Sequence, residues 1–170
     1  MKSFAFALSC FLLLASCLSS CKYPATYKVV NCNKFSVSVP SWLKEEKGLK
    51  PGAEFQYANR YRNIYAIASA DNKDSLNESL AEVVSGNLGI LRKAMIKPVV
   101  SDSTDVTIGS LHGVRAEIFG KMGAENIYFS EVVLEGKTNY YHLSVWTRGE
   151  DRKLKFKEDI NRILNSFKEI

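Results

Sequence analysis

Histidine, cysteine and proline are scarce in this chain: two, four and four among 170 residues. His112 lies in the Gly-bounded segment Gly109-Ser110-Leu111-His112-Gly113, and His142 lies on an apolar strand pattern with Tyr140 and Trp146. Neither has a second histidine or a carboxylate at the i+2 or i+4 spacing that a converging metal site uses. No metal or cofactor is therefore expected, and the ordinary readings are a turn residue for His112 and a packed or edge histidine for His142. No C-x-x-C occurs, which leaves redox and zinc motifs without support. No G-x-S-x-G elbow or S-x-x-K set is present, so no catalytic residues are assigned and the chain is expected not to be an enzyme. Gly120-Lys121-Met122-Gly123 lacks the remaining spacing of a phosphate-cradling loop. Glu45-Glu46 and Glu150-Asp151 read as surface charge rather than acid/base partners. There is no internal repeat and no low-complexity segment. Nor does either charge sign dominate: 23 Lys and Arg stand against 18 Asp and Glu, a formal net charge of +5. Basic residues sit beside acidic ones, as in 150–159 (EDRKLKFKED), a solvated helix face rather than a phosphate track. Nucleic acid is excluded as partner on that ground. The mild positive excess suits a weak attraction to anionic lipid headgroups.

The most informative stretch is the first 21 residues, MKSFAFALSCFLLLASCLSSC. Lys2 is its only charge, and removing it takes the net charge from +5 to +4. Phe4 to Ala15 is apolar, about 12 residues, which is the length of a signal-peptide core and short of the ~20 that span a bilayer. Leu14-Ala15-Ser16 sets small residues directly ahead of Cys17. This resembles the lipobox of bacterial lipoprotein precursors. The resemblance implies a leader over 1–16, acylation of Cys17, a tether over 17–26 and a domain over 27–170. It also implies a location in the cell envelope, at the outer membrane or on the periplasmic face. Leu18-Ser19-Ser20-Cys21 satisfies the same pattern, so Cys21 is the alternative lipidation site. An ordinary secretory signal cut near Ser20, or a buried N-terminal helix, are the other readings. If Cys17 is acylated, Cys21 and Cys32 remain as a pair in an oxidising compartment. A disulfide between them would close a loop of about 12 residues, contributing roughly 2–3 kcal/mol. The plainer reading of Cys32 is a half-buried strand-end thiol.

Strands are expected over Tyr27–Asn31, over Phe35-Ser36-Val37-Ser38-Val39-Pro40, and over the alternation Phe55, Tyr57, Asn59, Tyr61. A further run follows over Ile64–Ala70, with the break at Arg62-Asn63 either a turn or a bulge. Ser41–Gly52 reads as a loop or short helical turn around Trp42 and Leu43. Asp74-Ser75 opens a helix, with Ser75 and Glu78 as its capping box. Leu76, Leu80, Val83, Val84, Leu88, Leu91 and Met95 form its apolar stripe, and Pro98 ends the helical potential. Gly86 and Gly89 weaken it, and are read as close packing or a kink. One strand is expected over Val99–Ile108, then a meander over 114–119, 127–134 and 140–147. A last helix over 151–168 carries Phe156, Ile160, Ile163, Leu164 and Phe167. The class is α+β, a central, mostly antiparallel sheet flanked by helices.

In order, Phe35–Trp42, Gly109–Ala116, Tyr140–Val145 and Ile163–Phe167 resemble the PsbP-like domains, a group that includes DcrB-like exported proteins. The resemblance implies an α-β-α sandwich that works by docking onto other proteins. The expected function is thus a membrane-anchored, non-enzymatic binding or accessory module for a protein or envelope component. Tyr57, Tyr61, Tyr65, Tyr128, Phe129, Tyr140, Tyr141 and Trp146 are the pool from which an aromatic groove would be drawn. An immunity or inhibitor protein against a toxin or hydrolase is the alternative. An enzyme with a site assembled from distant residues would use His112, Arg115 and His142 first, since these include the groups that titrate near neutral pH.

Overall fold

The computed structural model describes residues 25–101, 103–149 and 151–170. The leader, Cys17 and Cys21 lie outside the described residues, and with them the lipidation site and the Cys21–Cys32 pairing. Eleven strands and three helices are described: β1 (Tyr27–Asn31), β2 (Phe35–Pro40), β3 (Lys44–Glu45), β4 (Phe55–Asn59), β5 (Ile64–Asn72), α1 (Lys73–Leu76), α2 (Leu80–Ala94), β6 (Ile96–Val100), β7 (Thr104–Ile108), β8 (Leu111–Met122), β9 (Glu125–Glu135), β10 (Asn139–Arg148), α3 (Arg152–Asn165) and β11 (Lys168–Glu169). The large sheet runs β3-β4-β5-β10-β9-β8-β6, with β7 also on β8, and a small sheet runs β1-β2-β11. Every pairing among the described residues is antiparallel. This is the α+β class expected from the pattern.

The period of two in β9 and β10 sends alternate side chains to opposite faces. Val132, Leu134, Tyr141, Leu143 and Val145 meet Phe156, Ile160, Ile163 and Leu164 of α3 and Phe35, Val37 and Val39 of β2. Helix α3 therefore shares its layer with the small sheet, which departs from a purely helical outer layer. Chain ends lock this layer: β11 pairs with β2, and the Ser38 amide donates to Ser166 Oγ at 2.8 Å. On the other face, Val83, Val84 and Leu88 of α2 pack on Ala116, Val133 and Tyr140.

Several boundaries move. The capping box is at Ser79–Glu82, not Ser75–Glu78. The sequence offers S-x-x-E twice, and Asn77 in the left-handed region (φ 50°) ends α1 before the second one opens α2. Leu76 accordingly falls off the stripe, whereas Met95 stays buried one residue past the helix. Val99–Ile108 is two strands on one edge of the long β8, and Pro98 sits in the first of them, where an edge tolerates its missing donor. The break after β4 is a turn over 60–63, which takes Tyr61 out of the strand. Helix α3 stops at Asn165, and Phe167 is buried beyond it. His112 and Gly113 belong to β8 rather than to the preceding turn. A Cβ on Gly113 would stand 2.3 Å from the Val133 carbonyl oxygen, so only glycine allows that strand approach. Gly86 and Gly89 have open space around them, and α2 runs through both, so neither close packing nor a break explains them.

Candidate functional site

The sheet face under α2 carries the unusual chemistry. In register, Tyr65 of β5, Trp146 of β10 and Phe129 of β9 lie side by side. Their rings stack, with centroids 5.2 Å apart at 11° and 5.1 Å apart at 16°. The guanidinium of Arg148 caps the Tyr65 ring at 5.3 Å and pairs with Glu125 at 3.3 Å. Leu91 of α2, Ile67, Ile127 and Lys50 complete the walls of a trough of about 520 Å³.

Next to this ring row the same face turns polar. Ser144 stands opposite both Ile67 and Glu131, and His142 stands opposite Ser69. Ser69, Glu131, His142 and Ser144 are all buried. His142 Nδ1 is 2.5 Å from the Asn87 amide nitrogen on α2, and its Nε2 is 3.0 Å from Asp71 Oδ2 but off the axis of a hydrogen bond. An imidazole that accepts at Nδ1 is neutral. Burial holds its pKa below the usual value, with Lys50 adding to the effect and Asp71 opposing it. Burial also pushes the Glu131 carboxyl up to about 7, against the pull of Lys50 and the Ser144 hydroxyl. Among the described residues Glu131 Oε2 has no hydrogen-bond partner. Lys50 joins the two parts: it lines the trough, and its Nζ is 3.5 Å from Ser69 Oγ.

The three residues first suspected of catalysis are kept apart. His112 pairs with Asp105 at 3.8 Å on the exposed end of β8. Arg115 points to the α3 face, where it donates to Ser130 Oγ at 3.2 Å and Asn161 Oδ1 at 2.8 Å. His142 lies on the α2 face, where among the described residues its hydrogen-bond partner is Asn87. Among the described residues no three His, Cys, Asp or Glu side chains converge to hold a metal. Of the aromatic pool, Tyr65, Phe129 and Trp146 come together. Tyr57, Tyr128 and Tyr141 face the α3 layer, Tyr140 anchors α2 through its hydroxyl to the Glu78 carbonyl at 2.9 Å, and Tyr61 stands free. Asp71, Asn87, Glu131 and Lys50 were not singled out in the sequence. The available signal was Glu131, a lone carboxylate inside the apolar strand Ile127–Leu134.

No family model matches the chain, and no curated protein matches its sequence. Solved structures do share its shape. The solution structure of cyanobacterial PsbP (CyanoP) from Synechocystis sp. PCC 6803 aligns with a TM-score of 0.62 at 13% identity, covering 90% of this chain and 99% of that one. The Saccharomyces cerevisiae Ran-binding protein Mog1p aligns with a TM-score of 0.62 at 11% identity, covering 85% and 95%. A Pseudomonas aeruginosa protein of unknown function aligns with a TM-score of 0.53 at 11% identity, covering 82% and 94%. At these identities the likeness concerns the fold, which is PsbP-like.

Proposed function

We propose that this chain is an exported lipoprotein, held to a bacterial envelope membrane by acyl chains on Cys17, with Cys21 as the alternative. Its domain acts as a non-enzymatic binding or accessory module whose contact surface is the trough. The observation that carries the binding role is the trough of about 520 Å³ that the stacked rings of Tyr65, Trp146 and Phe129 line, Trp146 being the most exposed of the three, with the cations Lys50 and Arg148 in its walls. Large rings held rigid by cross-strand stacking offer apolar contact area at low entropic cost, and flanking cations select an acidic or polar rim on the occupant. The likeness to a protein named for binding Ran supports a protein as the class of partner.

The test is capture from solubilised envelope by the full acylated chain. Native protein should retain a partner that Lys50→Gln with Arg148→Gln loses at an unchanged melting temperature, since both side chains are solvent-exposed. Equal capture by the two would remove the trough from the binding role. Cys17→Ala should release the protein into the soluble fraction, and a variant still carrying acyl mass would assign the anchor to Cys21.

A further inference from the structure

The anchor reading leaves open which side of the domain meets the bilayer. We infer that the end where the tether enters is a membrane-apposed surface fitted to anionic phospholipid headgroups; this rests on the lipid anchor proposed above.

The entry point is fixed by the contacts of Thr26 and Tyr27. Thr26 Oγ1 is 2.6 Å from Ser41 Oγ, and its carbonyl accepts from the Ser41 amide at 2.8 Å. Tyr27 donates its hydroxyl proton to Asp159 of α3, and the Arg162 guanidinium lies 3.8 Å over its ring. Beside Ser41, the Trp42 ring packs on Phe156 of α3 at 5.7 Å, and Arg62 lies over it at 4.6 Å. Arg152 then ties the turn to α3 by donating to the Arg62 carbonyl at 3.4 Å. The tether entry, the 60–63 turn and the first turns of α3 are therefore one continuous surface.

Its composition is that of a headgroup-contacting face. Tyr61 is 97% exposed and Leu154 is 77% exposed, the two most exposed large hydrophobic side chains described. Arg60 and Arg62 flank Tyr61 along the 60–63 turn; on α3, Lys153 and Lys155 flank Leu154, and Lys157 lies less than one turn on. The acids nearby are spent or outnumbered: Glu46 pairs with Arg60, Asp151 pairs with Arg152 at 3.9 Å, and Glu158 is on the exposed side of α3. Among the described residues no ion pair engages Arg62, Lys155 or Lys157. Four cations in the first two turns also oppose the α3 macrodipole, and that helix has no acidic residue in its first turn and no side-chain cap. Arg152 and Lys153 have acidic partners, but helix stability does not account for Lys155 and Lys157, which have no ion-pair partner among the described residues, and attraction to an anionic surface does. An exposed tyrosine and leucine ringed by cations match the interfacial zone of a bilayer.

Tether length limits the orientation. Residues 17–26 extend to at most about 35 Å, and a domain of this size is roughly 40 Å across. The opposite side cannot swing round to the membrane, which leaves the entry end and its flanks as the sides that reach it. A second, electrostatic contact complements an acyl anchor in the way dual-signal anchoring does.

The test uses the full acylated protein reconstituted in vesicles of phosphatidylcholine alone or with phosphatidylglycerol, read by backbone hydrogen exchange. Segments 60–63 and 152–157 should gain protection only with phosphatidylglycerol, lose it in high salt, and lose about fivefold in protection for each of Arg62→Gln, Lys155→Gln and Lys157→Gln. Tyr61→Ser should weaken protection without altering the melting temperature. Equal exchange in both vesicles, with the protein still anchored, overturns this inference and leaves the lipoprotein reading standing. An unacylated mass overturns both. Protection by soluble polyglutamate but not by vesicles overturns it in favour of an acidic protein surface.

Discussion

The two faces of the large sheet are built on opposite principles. The α3 face is closed: Ile160, Ile163 and Leu164 are at most 1% exposed, and the small sheet, α3 and Phe167 seal it from three directions. Charged groups that reach it are paired, as Arg115 is with Ser130 and Asn161, and Glu117 with Lys153 at 3.0 Å. The α2 face is covered by one helix with three buried residues, Val83, Val84 and Leu88. It encloses a histidine, a carboxyl group and two serines, and leaves a trough beside them that the ring stack lines. One face stores the stability, and the other trades stability for chemistry and access.

The contrast can be broken by mutation. Ile160→Ala should cost about 4 kcal/mol, because the Ile160 side chain is enclosed between α3, the sheet and β2 and its surroundings cannot collapse into the cavity; a chemical melt with a loss under 1 kcal/mol would mean that the closed face is not the stability store. Glu131→Gln should raise stability at pH 8 by up to about 3 kcal/mol. The sign follows from its raised pKa. Between 4.5 and about 7 the unfolded chain gives up this proton while the folded chain keeps it, so stability falls as pH rises through that window. His142 works in the other direction: its pKa is lowered from 6.5, so its contribution to stability is lost as pH falls below 6.5. With Glu131→Gln in place, the His142 slope should therefore appear uncompensated, as a steady loss of melting temperature on acidification. A variant whose pH profile overlays the parent's would show that Glu131 does not titrate there. Leu88→Ala should cost only about 2 kcal/mol, since α2 packs by a single stripe at the edge of the open face. Gly86→Ala is the smallest change and has the opposite sign, a gain of up to about 1 kcal/mol, because nothing crowds a new methyl group there. A loss at Gly86 would mean that α2 must flex to work.

The closed face was legible residue by residue. Phe35, Val37 and Val39 alternate, and Phe156, Ile160, Ile163 and Leu164 recur at helical spacing, so each element announces its own buried side. The open face was legible only in part. Its stripe on α2 was readable at Val83, Val84 and Leu88, but the start was displaced by one S-x-x-E repeat. Tyr65, Phe129 and Trp146 stood in a pool of eight aromatic residues with nothing to mark them as the stacked three. His142 was read as a packed histidine among aromatics, which is its burial. Its partners Asp71 and Asn87 are 71 and 55 positions away along the chain.

By itself the sequence determined the class of fold and the buried side of most long elements, because each depends on local spacing and composition. The tertiary structure alone decided that Glu131, His142, Asp71 and Lys50 meet on one sheet face and that the 60–63 turn lies against the start of α3. Those meetings depend on strand register and on which turn lies beside which helix. Register is a cooperative outcome of packing across the whole sheet, and no single segment encodes it.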